Sequence, residues 1–148
     1  MEILKENLEK GYLVAKVDAT DKFGVLREMG NVLVEKGWVK DTYPGAVIER
    51  EKVFPTGLPM EAMGVAIPHT DAIHVNKKAV FCGILDKPVD FVVMGDDEAT
   101  VSVEVKPNDQ IEMLSKLVET CQNVSVLQTV KAAEDMDTIE KVMEKLMA

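Results

Sequence analysis

Hydrophobic periodicity changes twice along this chain, and that alternation limits the folds open to it. After a short apolar strand, Tyr12–Val17, the spacing of Leu26, Met29, Leu33 and Val34 follows the turn of a helix. Thr20 or Asp21 can cap that helix and Gly37 can close it. A second helix is expected over Tyr43–Val53, with Pro44 in its first turn, where no N–H is needed, and Pro55 just past its end. The pattern then changes to short apolar runs. These cover 63–67, stopped by Pro68, then 79–85 and 89–94, separated by Asp86-Lys87-Pro88 as at a hairpin or tight connection. Residues 100–105 alternate as a strand with one wetter face should.

Helical spacing returns at the end. Asn108 can cap a helix faced by Ile111, Leu114, Leu117, Val118 and Cys121, and another is expected over 124–133. A last one, over 137–147, points Ile139, Val142, Met143 and Leu146 inward. Strands in the middle and helices at both ends give an α/β (α+β) sandwich, a central mixed β-sheet flanked by helices. No linker, repeat or low-complexity segment divides the chain, so residues 1–148 are expected to form a single domain.

Charge narrows the partners. Asp and Glu number 26 against 17 Lys and Arg, a formal net charge of −9 with no basic cluster that reverses the sign locally. Nucleic acid or an anionic membrane would bind against this field, whereas a protein with a basic face would be drawn in. No apolar stretch approaches the roughly 20 residues of a membrane span, and residues 1–17 lack the pattern of a secretory leader. A cytoplasmic location is expected. Cys82 and Cys121 lie in apolar surroundings without Cys-x-x-Cys spacing and are expected to be buried, reduced thiols.

Both histidines of the chain fall within six residues, in Gly64-Val-Ala-Ile-Pro-His-Thr-Asp-Ala-Ile-His74. With an unperturbed pKa of about 6.5, histidine offers a neutral nitrogen lone pair at physiological pH and is a competent nucleophile toward phosphorus. An apolar strand supplies a rigid base, Pro68 fixes the backbone as it leaves the sheet, and His69 is presented at the strand end, open to large partners.

Met63-Gly-Val-Ala-Ile-Pro-His-Thr70 closely resembles the phosphorylation-site motif of the fructose–mannitol type of enzyme IIA, from the bacterial sugar phosphotransferase system. The resemblance extends upstream through Gly37-Trp-Val, Tyr43, Arg50-Glu51 and Pro55-Thr56-Gly57, and downstream to Gln110-Ile-Glu-Met-Leu-Ser-Lys-Leu117, so it covers nearly the whole chain. It implies a mannitol-type enzyme IIA fold and a phosphocarrier whose acceptor is His69, phosphorylated on Nε2. The implied donor is the histidine phosphocarrier HPr and the implied acceptor a cysteine on the cognate IIB protein, with the membrane subunit IIC engaged only indirectly. Residues 68–74 together with Lys40-Asp-Thr-Tyr-Pro44 look most like the galactitol-specific branch.

Arg50 matches the family's active-site Arg, whose planar charged fork suits a phosphoryl group. Where mannitol-type members have a second histidine, this chain has Gln110, an amide that can donate a hydrogen bond but carries no charge. His74 could compensate as a second donor. Thr56 and Thr70 could add hydroxyls, and either Asp71 or a backbone carbonyl would fix the His69 tautomer.

Transfer between nitrogen and sulfur nucleophiles needs no bound nucleotide, and no Walker-type run is present. No cofactor or metal is expected. A metal-dependent hydrolase built on His69, Asp71 and His74 fits poorly, because a helical ligand pair wants i and i+4 and these histidines are i and i+5 beside a proline. The remaining alternative is a regulatory module of the same fold, in which phosphorylation of His69 signals nutrient status.

Overall fold

The computed structural model describes residues 1–61, 63–93, 96–108 and 114–147. It contains β1 (Glu2–Asn7), β2 (Tyr12–Val17), α1 (Lys22–Glu35), α2 (Tyr43–Val53), β3 (Gly57–Pro59) and β4 (Gly64–Ala66). These are followed by a 3-10 turn (Ala72–His74), β5 (Val80–Val93), β6 (Asp96–Asn108), α3 (Leu114–Cys121), α4 (Val124–Ala132) and α5 (Met136–Met147).

The six strands make one mixed sheet. β1 pairs antiparallel with β2, β2 parallel with β5, β5 antiparallel with β6, β6 parallel with β4, and β4 antiparallel with β3. The start of β3 also touches the end of β5, through Gly57 and Val93.

Side chains of β2 show why the sheet needs helices on both faces. Leu13, Ala15 and Val17 enter one apolar cluster, with Val25, Leu26, Met29 and Leu33 of α1 and Val47 and Ile48 of α2. Tyr12 and Val14 enter the other, with Cys121 of α3, Leu127 and Val130 of α4, and Ile139 and Met143 of α5. A strand buried on both faces reads as a near-continuous apolar run, here interrupted by Lys16.

The helices are seated by local chemistry. Asp21 caps α1 through a side-chain bond from the Gly24 N–H, and Asn123 caps α4 through one from the Val126 N–H. Gly37, at φ +76°, leaves α1 in the left-handed conformation that glycine adopts without strain. Gly30 lets α1 and α2 approach closely, since a Cβ there would stand 3.1 Å from Pro44. That contact fixes the seat of α2, which carries half of the candidate site.

The structure differs from the sequence reading at three places. The chain does not fold back at Asp86-Lys87-Pro88, because β5 runs from Val80 to Val93 as one strand. Ile84 faces Val105 and Val89 faces Val103, so five steps on β5 match two on β6 and the surplus residues bulge outward, exposed. A proline is tolerated in a strand at such a bulge. β1 is an unexpected edge strand, and β3 an unexpected short one. Residues 109–113, on which the start of the α3 helix was expected, lie outside the described residues.

Neither cysteine forms a disulfide, both are buried, and burial pushes the Cys121 thiol up to about 11. Among the described residues, no helix is long and apolar enough to cross a membrane.

Candidate functional site

β4 is the rigid base on which the site stands. Val65 and Ile67 pack on the α3–α5 side and Ala66 on the α1–α2 side, so the strand is clamped from both faces before Pro68 ends it. Ile67 is still tied to β3, its N–H donating to the Thr56 carbonyl at 3.3 Å. Burial continues through residue 70, and His69 itself is only 7% exposed. The sequence reading expects an open histidine; instead the residue is largely packed, with little more than an edge exposed.

The packing sets the chemistry of that edge. His69 Nδ1 lies 2.9 Å from the Ile67 carbonyl oxygen. A carbonyl can only accept, so Nδ1 carries the proton and Nε2 of the neutral ring holds the free lone pair. Of the two tautomer-fixing partners open to sequence reasoning, the backbone carbonyl is the one in place. Asp71 is engaged elsewhere.

Arg50 approaches the same loop from the last turn of α2. Its Nη1 lies 3.5 Å from Asp71 Oδ1, and its guanidinium sits over the Phe54 ring, 4.9 Å from the centroid. Asp71 is well exposed, so this ion pair is held by little, about 0–1 kcal/mol. Arg50 Nε is buried and has no hydrogen-bond partner among the described residues. An unsatisfied buried donor costs about 1–3 kcal/mol. Arg50 is thus a cation weakly paired through one nitrogen and unpaired at another among the described residues.

The remaining candidates divide. Thr56 is not a free hydroxyl donor, because its Oγ1 donates to Glu51 Oε1 at 2.6 Å while its N–H donates to Glu51 Oε2 at 2.8 Å. Thr70 is buried beside His69. The His74 ring is turned away to the start of α2, with Nδ1 2.8 Å from Thr42 Oγ1, and its carbonyl accepts from the Lys40 N–H at 2.8 Å. Its contact is thus a brace between two loops and does not involve His69. Gln110 lies outside the described residues.

Sequence reasoning missed three participants: the Ile67 carbonyl as the specific tautomer anchor, Asp71 as the partner of Arg50, and Glu51 as a buried acceptor. Only the adjacency of Glu51 to Arg50 hinted at the last. His69, Asp71 and His74 each serve a different partner, and among the described residues no three metal-ligating side chains converge. The cavity of about 510 Å³ between α3, α4 and α5, lined by Glu119, Asn123, Thr138, Lys141 and Lys145 among others, shares no residue with this corner.

Comparison with known proteins adds to this geometry. The family model described as phosphoenolpyruvate-dependent sugar phosphotransferase system, EIIA 2, matches residues 6–146. The chain is 34% identical over 119 residues to the galactitol-specific EIIA component of the phosphotransferase system from Escherichia coli (strain K12), covering 76% of this chain and 79% of that one. It is 30% identical over 144 residues to the mannitol-specific phosphotransferase enzyme IIA component of Geobacillus stearothermophilus, covering 93% and 95%. Among solved structures, the complex of enzyme IIA and phosphorylated enzyme IIB for mannitol from Escherichia coli matches with a TM-score of 0.73 at 23% identity, over 95% of this chain and 98% of that one.

Proposed function

Because the chain belongs to the EIIA 2 family of the phosphoenolpyruvate-dependent sugar phosphotransferase system, whose members are phosphotransferases that carry phosphohistidine, we propose that His69 is its phosphoryl carrier. The donor is HPr and the acceptor the cysteine of a cognate IIB protein, and the relay runs in the cytoplasm. The observation that carries this reading is the Ile67 carbonyl on Nδ1, which leaves Nε2 as the nucleophile.

The step balances without a cofactor. Nε2 attacks the phosphorus of a donor phosphohistidine, the N–P bond to Nε2 forms as the donor's N–P bond breaks, and the donor ring departs with its electron pair. The proton stays on Nδ1 throughout, hydrogen-bonded to the Ile67 carbonyl. The phosphorylated ring is therefore a cationic leaving group for the next step, in which a thiolate sulfur on IIB attacks and His69 returns to its neutral form.

Charge on the three equatorial oxygens needs positioned donors, and Arg50, leaving Asp71, supplies its guanidinium Nη1 for them. Exposed apolar side chains, Val53 and Phe54 beside Arg50 and Ile73 beside Asp71, suit a protein partner better than a small substrate. The negative net charge suits a basic one.

The substrate reading is uptake of a sugar or polyol, with galactitol the first choice, supported by the name of the 34% identical relative and by the residues around His69 and Tyr43. The test is a relay reconstituted from HPr, this protein and purified IIB proteins of several specificities. Transfer to the galactitol IIB should outrun transfer to the mannitol and fructose IIBs by at least about tenfold, the ratio set by 1.4 kcal/mol of differential transition-state binding. Equal rates would remove the galactitol assignment, and no transfer to any IIB would favour a regulatory role.

A further inference from the structure

A buried carboxylate stands behind the nucleophile. Glu51 is 4% exposed and lies in the last turn of α2, where the helix dipole is unfavourable to negative charge. Its neighbour Glu49 is solvent-exposed and pairs with Lys52. Placing a carboxylate in this position is costly unless it is well hydrogen-bonded, and both of its oxygens accept from Thr56.

Thr56 in turn fixes the next residue along. Its carbonyl receives the Ile67 N–H at 3.3 Å, and the Gly57–Ala66 pairing continues the same ladder. Ile67 then presents its own carbonyl to His69 Nδ1 at 2.9 Å. Four residues, Glu51, Thr56, Ile67 and His69, thus form one hydrogen-bonded line from the end of α2 to the imidazole, with every member buried.

We infer that Glu51 is a positioning residue: acting through Thr56 and the Ile67 backbone, it holds the Ile67 carbonyl on His69 Nδ1 and so dictates which ring nitrogen carries the proton. The significance of that choice rests on the reading that His69 Nε2 is the phosphoryl acceptor. The choice itself can be measured without any phosphoryl donor.

A carboxylate is a better clamp here than a shorter polar group, since its two oxygens meet the N–H and the hydroxyl of Thr56 at once. A glutamine can do the same work if the Thr56 hydroxyl turns to accept from the amide while the N–H keeps an oxygen. Alanine at position 51 leaves both Thr56 donors unmatched, and the strand end that aims the Ile67 carbonyl loses its anchor.

The experiment is a long-range 1H–15N spectrum of the His69 ring, together with the rate of phosphoryl uptake from phospho-HPr, in the full-length wild type and in Glu51→Ala, Glu51→Gln and Thr56→Val. The wild type should show the Nδ1–H tautomer. Glu51→Ala should show a mixture of tautomers and an uptake slowed by about tenfold, the low end of the roughly 10–100-fold that outer partners of metal-ligating histidines contribute. Glu51→Gln should restore the wild-type ring pattern and most of the rate, and Thr56→Val should fall between.

A folded Glu51→Ala protein whose ring keeps the wild-type tautomer pattern would overturn the inference, whatever its rate. If that variant does not fold, an unchanged ring in Thr56→Val overturns it equally. A tautomer shift in a protein whose wild type takes no phosphoryl group would uphold the positioning role while removing the carrier reading, so the two can fail separately.

Discussion

The two ends of α2 hold the same loop, 68–77, in opposite ways. At the N-terminal end the contacts are short and complete. Thr42 Oγ1 meets His74 Nδ1 at 2.8 Å, the Lys40 N–H reaches the His74 carbonyl at 2.8 Å, Val39 bridges Val75, and the Trp38 carbonyl receives the Asn76 and Lys77 N–H groups. At the C-terminal end the contacts are loose at the surface. Arg50 reaches Asp71 at 3.5 Å, its Nε has no partner among the described residues, and Val53, Phe54 and Ile73 stand 65%, 59% and 69% exposed. The closed end fixes the loop, and the open end leaves a cation and an apolar rim to be completed by something else. Two histidines five residues apart thus take different partners: His74 meets the Thr42 hydroxyl, and the largely packed His69 meets the Ile67 carbonyl.

Separate substitutions at the two ends should therefore read out differently. The largest effect is expected at the open end, where Arg50→Ala should slow transfer by about 10²-fold, the loss typical of removing one donor to developing negative charge. Its melting temperature should stay near that of the wild type, because the ion pair with Asp71 is exposed and weak. Stopped-flow transfer and calorimetry on one sample check both halves; a large drop in melting temperature would make Arg50 a structural residue and erase the contrast.

At the closed end, Thr42→Val removes the hydroxyl bonded to His74. A net cost of about 1 kcal/mol is expected, lowering the melting temperature by about 2–4 °C with the transfer rate nearly unchanged. If the rate instead collapsed while stability held, His74 would belong to the reacting group and its brace reading would be wrong. The smallest effect is expected from Asp71→Asn. Freed of its partner, Arg50 should change the rate by less than about fivefold, the ceiling set by a pair worth 0–1 kcal/mol. A larger loss would mean that Asp71 acts on the phosphoryl group or on the ring, a role that the single contact to Arg50 does not give it.

Much of this architecture can be read from the chain because local and long-range signals agree. β2 and α2 fall where the apolar run Tyr12–Val17 and the prolines at 44 and 55 put them. β1 escaped because Glu2, Lys5 and Glu6 make an edge strand that has few apolar residues to alternate and breaks register between Ile3 and Lys5. Asp86 and Pro88 suggested a turn because turns favour them, yet a bulge favours them as well, and only the partner strand decides between the two.

The same division runs through the site. His69 and Arg50 stand out as candidates from residue type, motif and resemblance. The pairing of Arg50 with Asp71 crosses 21 positions, and no local pattern encodes it. Nor does anything in Glu49-Arg-Glu51 say which carboxylate is buried, since that depends on where the chain carries Thr56 after the helix ends. Which tautomer His69 holds depends on a carbonyl two residues back, fixed only once β4 is paired.

The most direct measurement is the site of phosphoryl attachment after incubation with phospho-HPr. An acid-labile, alkali-stable phosphate on Nε2 of His69 is expected in the wild type, and none in a folded His69→Ala protein. Labelling that survives in His69→Ala, or a phosphate found on Nδ1, would contradict a nucleophile selected by the Ile67 carbonyl.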